Sequence, residues 1–310
     1  MQEVTAFAPA SVGNVGVGFD ILGQSVEAIG DRVTLRRVAR PGVQIEGIDG
    51  VVQTLPLEPE KNTAGQAVLA MQAALHPDFG FAMRIHKGIP LGSGLGGSAA
   101  SAVAAVVAAN AFLAEPLTRL ELLKFAMQGE KVASGSVHVD NIAPSLFGGL
   151  VLTVGIDHPR IKQIPVPPGI RCVLVHPHMF LSTREARAML KKTCELSDVI
   201  WQTANLAGFI AGCYTNDLAM IRDAFEDVII EPQRQALIPG FQAVKSAARA
   251  AGALGCSISG AGPTTFAWCE ERDAGRICEG MVRAFADHGL ASDHWISATS
   301  LSGAAIVDSR

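Results

Sequence analysis

The sequence predicts an α+β protein built in two layered units, and three observations carry that expectation. Strands are followed by runs of helices instead of alternating with them strictly; a glycine- and serine-rich loop opens directly into an alanine-rich helix; and a proline-rich segment divides the chain near its middle. With 310 residues, 49% of them hydrophobic and 17% charged, the chain has the material for two domains or one large one, each with a buried core.

Apolar residues alternate in Val33 to Val38, Val43 to Ile48 and Phe81 to His86, which predicts half-buried antiparallel strands, with helical spacing over Asn62 to Leu75. Ala99 to Ala114 reads as a buried helix. Pro116 opens a new element, and Thr118 with Glu121 forms a capping-box pattern for a helix through about Ala133. Phe147 to Val154 reads as a strand. His158 to Gly169 holds four prolines and a glycine, which puts the expected domain boundary there: residues 1–160 and 161–310. Arg171 to Val175 is a predicted strand, and Ser182 with Glu185 caps the helix containing Arg187. Helices are expected over 197–215, 218–225 and 241–251, a glycine-interrupted strand pair over Ser257 to Cys269, a helix over Ala274 to His288, and a closing strand region over Trp295 to Ala305.

A net charge of −4 without any lysine or arginine run gives nucleic acid and anionic membranes nothing to bind. The N-terminus lacks a basic stretch before an apolar core, so no secretory signal is read and a cytoplasmic location is expected. The longest apolar run, Ala99 to Ala114, is too short for a bilayer and carries Asn110. Six cysteines with no C-x-x-C spacing read as reduced core thiols.

Pro90-Leu-Gly-Ser-Gly-Leu-Gly-Gly-Ser-Ala-Ala100 is the strongest functional signal. Glycines free the backbone to turn N–H groups toward one point, and the helix start adds its positive dipole end, which together make an anion cradle. Gly92, Gly94 and Gly97 spell G-x-G-x-x-G, but a dinucleotide fold needs a second strand with an acidic residue roughly twenty positions on; a helix is predicted there. A Walker A loop needs Gly-Lys before Ser or Thr, and Ser98-Ala99 stands in that place. A tight strand-to-helix turn would not require four glycines and two serines in seven residues. Phosphate binding is therefore expected, with Ser98 either capping the helix or ligating a metal.

Glu130 shares a helix face with Leu123, Ala126 and Met127. Either it meets a divalent cation held with phosphate oxygens, or the stripe is rotated and Glu130 pairs with Lys131 or another surface base. Ser136, His138, Asp140 and Asn141 crowd one loop, which marks a functional or turn-forming segment. Ala8 to Asp20 reads as another glycine-spaced loop, with Asn14 and Asp20 as its polar points. Arg187 and Arg234 are candidates to grip a carboxylate.

Together these segments resemble the GHMP kinases, small-molecule kinases named for galactose, homoserine, mevalonate and phosphomevalonate. Ala8-Pro-Ala-Ser-Val-Gly-Asn14 running to Gly18-Phe-Asp20 looks like the first family motif, Pro90 to Ala100 the phosphate loop, and Ser259-Gly-Ala-Gly-Pro-Thr264 the third motif. Gly135 to Asn141, Leu181 to Arg187, Asp227 to Pro232 with Arg234, and Leu237 to Phe241 resemble the branch whose acceptor is L-homoserine.

The resemblance implies an N-terminal domain like ribosomal protein S5 domain 2 and a ferredoxin-like C-terminal domain, with ATP, Mg²⁺ and substrate between them. It implies transfer of the γ-phosphoryl group to the hydroxyl of L-homoserine in threonine biosynthesis, and a homodimer as a family expectation. Carried over by residue, Pro90, Leu91, Gly92, Ser93, Gly94, Leu95, Gly96, Gly97, Ser98, Ala99 and Ala100 would wrap the phosphates and Asn62 would lie near the adenine. Ser98 and Glu130 would hold Mg²⁺, while Lys87 and Thr183 would reach the γ-phosphate. Asn14, Asp20, His138, Asn141, Arg187, Arg234 and Gly260 would recognise the substrate, with Asp20 suited to its ammonium group and the two arginines to its carboxylate.

Two departures stand out. The family loop usually reads Gly-Leu-Gly-Ser-Ser, and here Gly97 replaces the first serine, for which a weaker or reshaped nucleotide contact without loss of activity is expected. Several relatives place an aspartate where this chain offers either Asp140 or Asn141. An asparagine there implies phosphoryl transfer without a strong general base, which a loose transition state tolerates. Another small hydroxyl acceptor, such as mevalonate, and a catalytically silent metabolite sensor are the alternatives.

Overall fold

The computed structural model describes residues 2–135, 137–155 and 158–310, with the backbone alone at 133 and 134. In the first half, β1 (Glu3–Gly13), β2 (Leu22–Val38), β3 (Val43–Gly50), α1 (Thr63–Leu75) and β4 (Gly80–Lys87) lead to α2 (Gly97–Asn110), α3 (Arg119–Ser134), α4 (Val139–Phe147), β5 (Leu150–Val154) and β6 (Arg160–Ile164). Then come β7 (Ile170–Pro177), α5 (Thr183–Ala188), α6 (Leu196–Thr215), α7 (Leu218–Ala224), α8 (Glu231–Arg234), α9 (Phe241–Ala250), β8 (Gly255–Ile258), β9 (Thr265–Glu270), α10 (Ala274–Ala286), β10 (Ser292–Ser297) and β11 (Ala305–Ser309).

The first sheet runs β11-β1-β2-β4-β3, with β5 paired to the start of β2 and β6 beyond it. β3 lies parallel to β4 because α1 carries the chain back between them, whereas β1 and β2 are antiparallel neighbours. The second sheet, β10-β7-β9-β8, is antiparallel throughout. With α9 and α10 against it, this order is that of a ferredoxin-like unit.

α2 is buried from Ala99 through Val106 and touches β1, β2, α1, α3 and α4. Alanine serves here twice over: it is the best helix former, and its small side chain lets neighbours close on every side. The helix stops at Asn110, short of Ala114, because the Asn110 amide hydrogen-bonds both backbone groups of Leu117 at 2.7 and 3.0 Å and turns the chain.

In β7 and β9, alternation sorts side chains onto two faces. Cys172, Leu174, Phe266 and Trp268 join the core of the first sheet; Val173, Val175, Ala267 and Cys269 pack under α9 and α10. Trp268, Phe209, Phe225 and Phe266 form an aromatic cluster between the layers, with ring centroids 5.2 to 5.9 Å apart. The buried Trp268 indole donates to Gln24 Oε1 on β2 at 2.7 Å, pinning one sheet to the other.

Besides the shorter α2 and the parallel pairing of β3 with β4, where antiparallel strands were expected, three further expectations are corrected. The polar segment running to Pro144 is not a loop, and Phe147 does not begin a strand: α4 forms in spite of Pro144, because Ile142, Ala143 and Leu146 are fully buried and packing outweighs the lost backbone bond, and β5 starts only at Leu150. Ser136, from the same crowded segment, lies outside the described residues. Ala8 to Gly13 is likewise not loop but the end of β1, and only the stretch after it turns. Finally Cys194 is exposed, while the other five thiols are buried as core residues. As for the segment read as a boundary, residues 160–164 pair with β5 and residues 305–309 with β1, so both ends of the expected second half contribute strands to the first sheet.

Replacing Gln24 with Leu leaves the Trp268 N–H buried and unpaired. A loss of about 1–3 kcal/mol in unfolding free energy is expected, measured by urea denaturation followed through tryptophan fluorescence.

Candidate active site

A cleft of about 670 Å³ opens between the two sheets. Its floor is the loop from Pro90 to Ser98, and the φ angles of Gly92, Gly94 and Gly96 are +64°, +78° and +68°. The carbonyls of this loop are held from behind. Gly92 O accepts from Leu181 N at 3.4 Å, Ser93 O from Thr264 N at 3.1 Å, Gly94 O from Ser259 Oγ at 2.8 Å, Leu95 O from Ser11 N at 3.1 Å and Gly97 O from Lys87 Nζ at 2.8 Å. In a planar trans peptide the N–H points opposite to the C=O. Fixing the carbonyls therefore turns the N–H groups of the same peptides the other way; Leu95 N bonds Ser93 Oγ at 3.4 Å, and the others stand beside the N-terminus of α2, the arrangement an anion needs. Leu95, Ala99 and Ala100 face the core instead and do not line the cleft.

Ser98 does not cap α2; Gly96 is the N-cap residue and makes no side-chain bond. The Ser98 hydroxyl reaches Glu130 Oε1 at 3.0 Å, and His138 Nδ1 is 3.3 Å from the same oxygen. Glu130 is buried, so of its two expected orientations the inward one holds, and its Oε2 has no hydrogen-bond partner. That unmatched carboxylate oxygen beside a hydroxyl and a phosphate-type loop is a donor set that fits a divalent cation taking one or two protein oxygens. Among the described residues no three His, Cys, Asp or Glu side chains gather as a protein-only metal cluster. Burial disfavours charge on His138, but its bond to Glu130 and the charges of Glu130 and Asp140 outweigh that, and its pKa is raised.

At the opposite end, Arg187 on α5 grips Asp20 through both nitrogens, at 3.0 and 2.7 Å. This bond, ahead of the opposing burial, raises the Arg187 pKa. Asn14, at φ +69°, accepts from Asp20 N at 3.0 Å and donates to Gly260 O at 2.9 Å, and Arg234 on α8 donates to the same carbonyl at 3.0 Å. Burial and the neighbouring Arg187 charge lower the Arg234 pKa. Phe19 holds both guanidinium groups over its ring, at 5.4 and 5.0 Å. Asp140 is buried on α4 with Oδ1 unpartnered, and its pKa is pushed up to about 6 by burial first and the Asp20 charge second. Asn141 Oδ1 accepts from Ser11 Oγ at 3.0 Å.

Thr183, at the first turn of α5, lines the cleft between these two ends. Asn62 lines it too, but its amide caps α1 through Ala64 N and Gly65 N and donates to Pro56 O, so it holds up the apolar wall of Leu55 and Pro56. Lys87 lies beneath the loop, its ammonium engaged by Asp31, Gly97 O and Ser101 Oγ, and it has no hydrogen left for a phosphate. Ser11, Phe19 and Asp31 also shape the site: Ser11 and Phe19 belong to the glycine-spaced N-terminal motif, whereas no neighbouring residue along the chain marks Asp31.

A glycine loop at a helix start, an inward acid next to it and an arginine pair across the cleft suit phosphoryl transfer to a small molecule, and two domain models of the GHMP kinases match the chain, which belongs to that family. Residues 62–149 match the family's N-terminal domain and residues 209–287 its C-terminal domain. It is 49% identical to a homoserine kinase of Xylella fastidiosa (strain M12), covering 99% of this chain and 94% of that one. It is 42% identical to a homoserine kinase of Chloroherpeton thalassium, covering 99% and 100%. The crystal structure of homoserine kinase from Cytophaga hutchinsonii superposes with a TM-score of 0.96 at 42% identity, covering 99% of this chain and 98% of that one.

A Cβ at Gly94 would stand 2.4 Å from Ser259 O and 2.7 Å from Gly262 O, at a φ that L residues resist. Gly94→Ala is expected to displace the loop and weaken ADP binding by at least about tenfold, each factor of ten being about 1.4 kcal/mol, as read by calorimetric titration.

Proposed function

We propose that this chain is an ATP-dependent homoserine kinase, transferring the γ-phosphoryl group to the side-chain hydroxyl of L-homoserine to give O-phospho-L-homoserine in threonine biosynthesis. The observation that carries this reading is the placement of three buried polar atoms without partners in one cleft: Glu130 Oε2, Asp140 Oδ1 and Arg187 Nε. Buried polar groups are ordinarily matched. An acceptor beside the phosphate loop suits a metal-bound phosphate, and an acceptor with a donor at the far end suits an amino acid zwitterion. The relatives named homoserine kinase support the same acceptor.

The glycine loop and the N-terminus of α2 hold the nucleotide phosphates, with Leu55 and Pro56 against the base. Ser98 and Glu130 hold Mg²⁺, which when bound neutralises phosphate charge. His138, tied to Glu130, keeps that carboxylate oriented. Arg187, through its unpartnered Nε, and Arg234 receive the substrate carboxylate, while Asn14 and Gly260 fix the backbone around them. Because Asp20 is already paired with Arg187, the carboxylate with a free oxygen for the ammonium group is Asp140, which revises the role first given to Asp20. Asn141, its oxygen engaged by Ser11, turns its N–H toward the acceptor hydroxyl, and Thr183 reaches the γ-phosphate.

Asn141 is not a base at neutral pH. The hydroxyl oxygen bonds to the γ-phosphorus as the bridging bond to ADP breaks, and the proton leaves to a phosphoryl oxygen or to solvent. This suits a loose transition state governed by positioning and charge. The substrates are small molecules, and among the described residues no helix is long and apolar enough to cross a membrane. A cytoplasmic homodimer completes this reading, its association state being measurable by sedimentation.

Coupled ADP release is expected with L-homoserine, and not with D-homoserine or mevalonate; turnover with mevalonate alone rejects the proposal. Asp140, with its pKa pushed up to about 6, carries its charge only above that pH. kcat/KM for L-homoserine is therefore expected to fall as pH drops through about 6, and Asp140→Asn to remove that inflection while raising KM. If Asp140→Asn instead lowers kcat by orders of magnitude with KM unchanged, Asp140 is the general base.

A further inference from the structure

Beneath the glycine loop lies a pair of buried charges that contacts no part of the cleft's acceptor end. Asp31 on β2 is fully buried, and Lys87 at the end of β4 and Ser101 on α2 are 3% exposed. One carboxylate oxygen of Asp31 accepts from Gly88 N at 3.0 Å and Ile89 N at 3.2 Å; the other takes Lys87 Nζ and, at 2.7 Å, Ser101 Oγ. Lys87 directs its remaining hydrogens to Ser101 Oγ and to the carbonyl of Gly97, each at 2.8 Å.

A pair that only tied β2 to β4 would have no reason to reach α2. A cation set at a helix N-terminus opposes the helix dipole, and removing an ammonium from water is costly without a partner. Asp31 offsets both penalties. The net result is a paired ammonium lodged under the first turn of α2, where the lysine borders the cleft and holds the Gly97 carbonyl. A Cβ at Gly97 would lie 3.2 Å from Ile89 Cγ2 and 3.6 Å from Lys87 Nζ, so this first turn packs closely on the lysine.

From this geometry we infer that Asp31 and Ser101 are positioning residues for nucleotide binding, acting through Lys87 to fix the first turn of α2 and the phosphate loop ahead of it. The inference rests on the reading of that loop as the nucleotide site. It assigns this chain's anchoring of the loop to a buried charge pair, not to a lysine touching phosphate.

The test separates positioning from plain stability. Calorimetric titration with ADP, thermal melting and titration with L-homoserine are run on the full chain and on Lys87→Met, Asp31→Asn, Ser101→Ala and the double variant Asp31→Asn with Lys87→Met. Each single change at the pair leaves a buried charge unmatched and lowers Tm; the double change removes both charges and recovers Tm toward that of the unaltered chain. ADP Kd is expected to rise about tenfold or more in Lys87→Met and to stay raised in the recovered double variant, with L-homoserine Kd unchanged. Ser101→Ala, which keeps both charges, raises ADP Kd several-fold at nearly unchanged Tm. Unaltered ADP affinity in the double variant and in Ser101→Ala overturns the inference, as does an equal loss of L-homoserine binding. Absence of ADP binding by the unaltered chain overturns the kinase reading, and this inference with it.

Discussion

The phosphate loop is held by its carbonyl oxygens, and most of the architecture serves that one constraint. Five carbonyls between Gly92 and Gly97 are bound by groups from β1, from β4, from the segment before α5 and from the turn between β8 and β9. Donors from both sheets thus converge on a stretch of six residues, and the peptide plane converts their grip into N–H groups turned outward. A loop of this glycine content would be mobile alone, since glycine loses the most conformational freedom on ordering. Tying it at five points shifts much of that entropic cost to folding, so that less of it falls on ligand binding.

The same logic explains why the two sheets must be docked before the site exists. Ser259 and Thr264 come from the second sheet, and Arg187 and Arg234 from helices attached to it, whereas Asp20, Asn14, Glu130 and Asp140 belong to the first. The Trp268 to Gln24 bond and the aromatic cluster around it fix the distance between these sets. The Asp20 and Arg187 ion pair spans the same junction, but each partner is more than a third exposed, and such pairs contribute little to stability. Its place is at the acceptor end, where it keeps the guanidinium group oriented while leaving Nε without a partner.

Much of this was legible beforehand. The capping box at Thr118 and Glu121 formed as its residue spacing required, because that motif depends only on residues three apart. The glycine loop and the strands around Val33, Val43 and Phe81 follow equally local rules. α4 was hidden, since dense polar residues and Pro144 argue for a loop and only the burial of Ile142 and Leu146 argues otherwise. Lys87 was misplaced for a related reason: nothing in its neighbourhood along the chain announces Asp31, which reaches it across two paired strands.

The sequence by itself determined which residue types reach the site and in what local setting: glycines at a helix start, an acid on an apolar stripe, arginines on helices downstream. Helical and extended periodicities are short-range properties, so each was readable within a few turns. Which way Glu130 faced, which carboxylate stayed unpaired, and whether Lys87 met phosphate or Asp31 were decided only by tertiary structure. Those outcomes depend on charges and hydrogen-bond partners far apart in the chain, brought close by the packing of two sheets, and a buried polar atom is defined by what surrounds it in space.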